Sequence, residues 1–176
     1  MNAEELRATQ TPLKTRYREA PEAARLTLRA TGRITPTEQS CAIETGAGPV
    51  VVAGLHPFAG GDGSAACAGD LFLQALAACA GVTLAVVATA LGIPIRSGTV
   101  TAEGDLDFRG TLGVSRETPV GFTAIRLHFD LDGDADAERL ANLLKLTERY
   151  CVNLQTLKTP PEISSTIQIT GTSASS

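Results

Sequence analysis

The chain has 176 residues, 43% of them hydrophobic, and a formal net charge of −4 at pH 7, with a pI near 5.2. That length holds one domain with a sizeable core and does not require two. The acidic balance, without a basic stripe interleaved with aromatics, argues against nucleic acid as a partner.

The first residues, MNAEELRATQ, lack the charged-then-apolar start of a signal peptide, so a cytoplasmic protein is expected, its four cysteines reduced unless redox chemistry is their task. Residues 1–24 are polar, mixed in charge and broken by Pro12 and Pro21, and read as an N-terminal arm or a short helix lying on a neighbour. Next, Leu26 and Leu28 alternate with Thr27 and Arg29, Cys41 and Ile43 bracket Ala42, and Val50 to Val52 forms a third apolar run. Gly32, Pro36, Gly46, Gly48 and Pro49 punctuate them, which predicts a three-stranded antiparallel meander. In the loop from Gly54 to Gly69, Gly61, Gly63 and Ala66 have the spacing of a dinucleotide fingerprint. No strand ends directly at those glycines and no acid follows about 20 residues later to hold a ribose, so the loop reads as a flexible mouth over the next element.

Between Asp70 and Arg96 the sequence LFLQALAACAGVTLAVVATALGIPI carries no charge. It is long enough to span a bilayer, but much of it is alanine, and neither end has the basic cluster or aromatic belt of an anchored span. A core helix over about Leu71 to Leu91 is expected, with Asp70 as N-cap and Gly92 and Pro94 as the stop. At helical spacing Phe72, Ala75, Leu76, Cys79, Val82, Thr83 and Val86 share a broad face, so Cys79 projects from the middle of an apolar surface. Desolvation there raises the pKa of the thiol and the helix dipole gives it little help, so its thiolate calls for a cationic partner.

Val100, Ala102, Leu106 and Phe108 alternate with polar residues in a strand, and a second strand runs from Phe122 to Leu131 with His128 on its wet face. Asp134 to Tyr150 is an amphipathic helix capped by Asp134 or Asp136, with Leu140, Leu143, Leu144 and Thr147 on its buried side, and Cys151 extends that face inward. Ile163, Ile167 and Ile169 alternate in a last strand, and a disordered tail follows over 171–176. Residues 25–170 thus form a single α+β domain. Cys41 reads as a strand core residue and Cys67 as a loop thiol. Cys41, Cys67, Cys79, Cys151, His56 and His128 show no close-spaced ligand pair, so neither a metal nor a cofactor is expected.

Two segments carry a family resemblance. Asp70-Leu-Phe-Leu-Gln-Ala-Leu-Ala-Ala-Cys79 resembles the buried-helix cysteine motif of the OsmC/Ohr family, the osmotically induced and organic hydroperoxide resistance proteins. Glu148-Arg-Tyr-Cys151, followed by Leu157, resembles that family's second cysteine segment, and the separation, 151 minus 79, is 72 residues. The resemblance implies an OsmC-like fold, with antiparallel sheets around long buried central helices and two chains intertwined in a homodimer. It further implies a thiol-dependent peroxidase for organic hydroperoxides. By position Cys79 attacks the peroxide, Cys151 resolves the sulfenic acid as a disulfide, and an external dithiol reductant restores both.

This chain departs from the peroxidase subgroups at named positions. Those subgroups pair the thiolate with an arginine from the loop after the third strand and a glutamate in a Pro-Glu step before the helix. Here the step is Ala68-Gly69, Asp70 is the nearest acid, and no arginine occurs between Val50 and Asp70. Asp70 is therefore the candidate catalytic acid and His56 the candidate binding residue, with Arg16, Arg18 and Arg149 as further sources of positive charge. Ala80 stands in place of an aromatic, and Val152-Asn153 in place of Pro-Val. A second function class stays open, a non-catalytic dimer that binds an apolar ligand at its seam or serves as a redox sensor. Neither reading calls for a membrane or nucleic acid.

Overall fold

In the computed structural model, which describes residues 1–46 and 48–169, the polar N-terminal segment is a helix, α1 (Ala3–Glu19). Asn2 starts it with a full capping box: its side chain accepts the Glu4 and Glu5 N–H groups while Glu5 accepts the Asn2 N–H, each at 2.9 Å. Pro12 sits inside this helix without ending it. Leu6 is buried, and α1 rests on the central helix.

Four short strands follow in the order β1 (Gly32–Thr35), β2 (Ser40–Ile43), β3 (Val51–Gly54) and β4 (Ala66–Cys67). The first three form the expected antiparallel meander, and β4 adds in parallel beside β3. Its first strand, however, is Gly32–Thr35 and not the segment around Leu26 and Leu28. A tight turn at Pro36, closed by Gln39 in the left-handed region (φ 48°), pairs Thr35 with Ser40. The ladder then runs out where Gly32 meets Ile43, so residues 26–31 pair with no strand among the described residues. Leu26 and Leu28 are 81% and 85% exposed. Ile163, Ile167 and Ile169 likewise form no strand here and project into solvent. The expected tail over 171–176 lies outside the described residues.

The central helix, α2 (Ala68–Leu91), starts three residues earlier than expected. Cys67 ends β4 in extended conformation and occupies the N-cap position with no side-chain cap, which puts Asp70 in the first helical turn instead. There a carboxylate still meets the positive end of the helix dipole. Gly92 stops the helix as the sequence predicts: at φ 61° it takes the left-handed conformation that a side chain resists, and its N–H closes onto Ala88 and Thr89.

Beyond α2 come β5 (Ile95–Asp105) and β6 (Ala124–Gly133), paired antiparallel from Ile95 with Gly133 to Asp105 with Ala124. Between them lies a single helical turn, α3 (Phe108–Thr111). The wet face of this hairpin holds an ion network in which Arg126 pairs with Asp105 at 2.6 Å and His128 lies 3.6 Å from Glu103. Its other face packs on α2. The chain then forms α4 (Ala137–Tyr150), capped by Asp136 accepting the Arg139 N–H at 2.8 Å, and α5 (Val152–Lys158).

Which face of α2 is buried differs from the expected one. Leu76, Ala80, Leu84, Val87 and Ala88 point inward, meeting Leu143, Thr147 and Cys151 along the α2–α4 seam and the sheet beyond it. Phe72, Val82 and Val86 are exposed, Val82 by 68%. The 3.6-residue period is as predicted, but this chain's own α4 and β5 approach α2 from one residue's rotation away, about 100°. By length and composition α2 could cross a membrane. In this fold α4, α5 and β5 pack against it.

Candidate active site

Two elements bring the paired cysteines together. Cys79 lies midway along α2, half-buried at the border between the sealed seam and the exposed apolar stripe. Cys151 is the hinge between α4 and α5, at once the C-cap of the first and the N-cap of the second, and it is fully buried. Its N–H still closes α4 onto Thr147, and its carbonyl accepts from Gln155 to begin α5. Cys151 looks inward as its helical spacing predicts, but on the face of Leu143 and Thr147; Leu140 and Leu144, expected on the same buried side, are exposed.

The chain turns so sharply at Cys151 that the first N–H groups of α5 face the two sulfurs. A helix leaves its leading N–H groups without internal partners; α5 has no side-chain cap bond, and its Val152, Asn153 and Leu154 N–H groups act on the neighbouring sulfurs by favouring negative charge there. Burial pushes the Cys79 thiol up, but the Asn153 N–H, the Cys151 S–H and the Val152 N–H favour its thiolate, and the outcome is a pKa below the ordinary value, while the nearby Thr83 hydroxyl donates to the Cys79 carbonyl at 2.8 Å. Cys151 goes the other way. Burial raises it, the neighbouring Cys79 raises it further, and the Leu154 and Asn153 N–H groups offset only part of this. Of the two thiols, Cys79 is therefore the one that ionises first.

The cationic partner expected for Cys79 has no candidate among the groups around its sulfur within one chain. Among the described residues no cation acts on its sulfur; the Asn153 and Val152 N–H groups and the Cys151 S–H favour its thiolate instead. Arg149 lies instead over the Tyr150 ring, 5.5 Å from its centroid. Arg16 and Arg18 sit in the last turn of α1 and are exposed. These backbone donors have no signature that sequence reading could have found, save that Val152 is a residue with an N–H to give.

Asp70 does not join the pair within one chain. Nine residues separate it from Cys79 on a continuous helix, which is two and a half turns: the opposite side, and about 13 Å along the axis. His56 is also engaged elsewhere. Its Nδ1 accepts the Phe58 N–H at 3.1 Å, and its ring stacks on Phe108 at 5.0 Å and meets Phe58 edge-on at 5.4 Å. Cys41 and Cys67 lie in the four-stranded sheet with β3 between their strands. Among the described residues no three His, Cys, Asp or Glu side chains gather in a metal-binding group.

Two features of the site were not anticipated. Asn153 donates its side-chain amide to the Ala75 carbonyl at 2.8 Å, fastening the start of α5 to the turn of α2 that precedes Cys79. Thr147, one turn before Cys151 and 1% exposed, holds the one buried side-chain oxygen among the described residues that has no hydrogen-bond partner. A cleft of about 450 Å³ between β6 and α4 is lined by Phe129, Leu131, Leu140 and Leu143, and neither cysteine reaches it.

Comparison with known proteins agrees with this architecture. The family model for OsmC-like protein matches residues 61–166, more than half the chain. Among solved structures, the OsmC-like protein from Mycoplasma pneumoniae superposes with a TM-score of 0.63 at 17% identity, over 77% of this chain and 89% of the other. An organic hydroperoxide resistance protein OsmC from Legionella pneumophila, described as a predicted redox protein, gives 0.60 at 20% identity, covering 77% and 92%. The organic hydroperoxide resistance protein OhrB of Bacillus subtilis gives 0.53 at 20% identity, covering 77% and 93%. No curated protein sequence matches.

Proposed function

The chain belongs to the OsmC-like protein family, and from that premise we propose that it is a thiol-dependent peroxidase that reduces organic hydroperoxides. The observation that carries this reading is the pairing of Cys79 with Cys151 at the start of α5, with the first thiol's pKa lowered and the second's raised.

In the proposed reaction the Cys79 thiolate attacks an oxygen of the hydroperoxide. The O–O bond breaks, Cys79 becomes a sulfenic acid, and the alkoxide takes the Cys151 proton to leave as the alcohol. The Cys151 thiolate so formed attacks the Cys79 sulfur and expels hydroxide, closing a disulfide. An external dithiol then reduces it, taking up the oxidising equivalents as its own disulfide. Each partner enters in the protonation state its surroundings favour, which is why the opposite shifts matter more than either alone. Asp70, on the far side of α2, and His56, engaged in its aromatic cluster, take no part in these steps.

The exposed stripe of Phe72, Val82 and Val86 beside Cys79 favours an apolar substrate over hydrogen peroxide. A homodimer is supported by residues 26–29 and 163–169, which carry strand patterning and pair with no strand among the described residues. We place such a dimer in the cytoplasm, with residues 25–170 as its single domain.

One observation favours the second reading, a non-catalytic dimer that binds an apolar ligand or senses oxidants: among the described residues no cationic side chain assists Cys79. Turnover separates the two. Dithiol-dependent consumption of cumene or tert-butyl hydroperoxide, lost in Cys79→Ser and limited to about one equivalent in Cys151→Ser, is the expected result. A wild-type protein without turnover leaves the second reading.

A further inference from the structure

The hinge at Cys151 is tied to the helix carrying Cys79 by one side chain. Asn153 donates its amide N–H to the Ala75 carbonyl at 2.8 Å across 78 residues of sequence. Ala75 lies four residues before Cys79, so its carbonyl belongs to the helical turn that ends at Cys79. Among the described residues this is the only side-chain hydrogen bond between α5 and α2; Gln155 and Lys158 tie α5 back to Glu148 of α4. α5 is only seven residues long and has no side-chain cap, and it packs against α2.

We propose that Asn153 is a positioning residue for the cysteine pair, its amide pinning the turn from Cys151 to Asn153 onto the turn of α2 that carries Cys79. The N–H groups of Val152 and Asn153 are rigidly attached to that pin, so the hydrogen bond to Ala75 holds them against the Cys79 sulfur, and it holds the Cys151 sulfur within reach for the disulfide. A side chain with no contact to substrate thereby governs how readily Cys79 ionises. Cys151 is the one titratable group that faces the Cys79 sulfur among the described residues, from the α4–α5 hinge.

The inference rests on Cys79 and Cys151 as the reacting pair, and its test is chosen to need no peroxide. Reduced protein is alkylated with iodoacetamide over a pH series, and peptide mapping reads Cys79 separately from Cys41, Cys67 and Cys151. Asn153→Ala is expected to move the midpoint of the Cys79 profile upward and to slow alkylation at pH 7 by about threefold to tenfold, roughly the worth of one or two net hydrogen bonds. Asn153→Gln, which keeps the donor on a longer arm, recovers part of that loss. Asn153→Asp, of the same shape but presenting an oxygen to the Ala75 carbonyl, is at least as slow as Asn153→Ala. A folded Asn153→Ala whose profile coincides with wild type overturns the inference. Should Asn153→Ala fail to fold, Gln and Asp are compared: faster alkylation in Asn153→Gln supports the positioning role, and equal rates overturn it. Absence of peroxide turnover in wild type defeats the peroxidase reading and leaves this comparison standing.

Discussion

Two apolar regions of this chain have opposite fates. Along the α2–α4 seam, Leu76, Ala80, Leu143, Thr147 and Cys151 are at most 1% exposed. On the flanks, Leu26, Leu28, Ile163, Ile167 and Ile169 lie open to solvent, Ile167 by 97%. Both are patterned for burial, so the difference lies in what each has to pack against. The seam is closed by elements of the same chain, while the flanks have the alternation of strands and join no strand among the described residues. Cys79 sits between a closed and an open side of α2, with Cys151 on the closed side and Val82 and Phe72 on the open side. A reactive sulfur there has a fixed electrostatic environment and an apolar approach.

Substitutions in the closed seam and on the open flanks should therefore behave differently. Leu143→Ala, in the closed seam, is expected to cost about 2 to 5 kcal/mol in a denaturant melt, the transfer term plus an unfilled cavity. A loss under 1 kcal/mol would mean the seam is loosely packed. Replacing Ile163 and Ile167 together by Asp removes no intrachain packing, so the expected outcome is a change of assembly: mass by light scattering at micromolar concentration falls from the dimer to the monomer. An unchanged dimer would show that the flank takes no part in it, and a wild-type monomer would sink the dimer itself.

Thr147 tests the seam from within. Its buried hydroxyl has no partner, so Thr147→Val, of nearly the same shape, should stabilise the protein by about 1 kcal/mol. A loss of stability instead would show that the hydroxyl is satisfied in solution. The smallest effect is expected at the start of α2, where Asp70→Ala should cost about 0.3 to 1 kcal/mol through the helix dipole and leave turnover unchanged. A large fall in turnover with unchanged stability would return Asp70 to the catalytic machinery.

The sequence carried the two elements that matter most here. The uncharged helix was legible from its length, its lack of charge and the stop at Gly92, though not which face it buries, and the amphipathic helix ending at Cys151 was legible from its period. The first helix was less so. Pro12 and Pro21 read as breaks, although Asn2 followed three residues later by Glu5 is the signature of the capping box that forms. The α2 start was misplaced because a two-residue parallel strand ending at Cys67 has too little patterning to recognise. The segments around Leu26 and Ile167 alternate as strands should, but alternation shows which side avoids water and cannot say which chain supplies the neighbour. Least visible was the electrostatics of Cys79. The reading of a desolvated thiol without a cation holds within one chain, but the groups that lower its pKa include main-chain N–H donors from a hinge 72 residues away, which leave no mark in the sequence.

The account turns on whether Cys79 and Cys151 react with each other. Reduced wild-type protein is treated with one equivalent of cumene hydroperoxide, digested under conditions that trap free thiols, and mapped by mass spectrometry. A disulfide joining Cys79 to Cys151, formed as one equivalent of peroxide disappears and reversed by dithiol, is the predicted result. Peroxide left unconsumed with both thiols still free, or a disulfide that joins Cys41 or Cys67 instead, would contradict it.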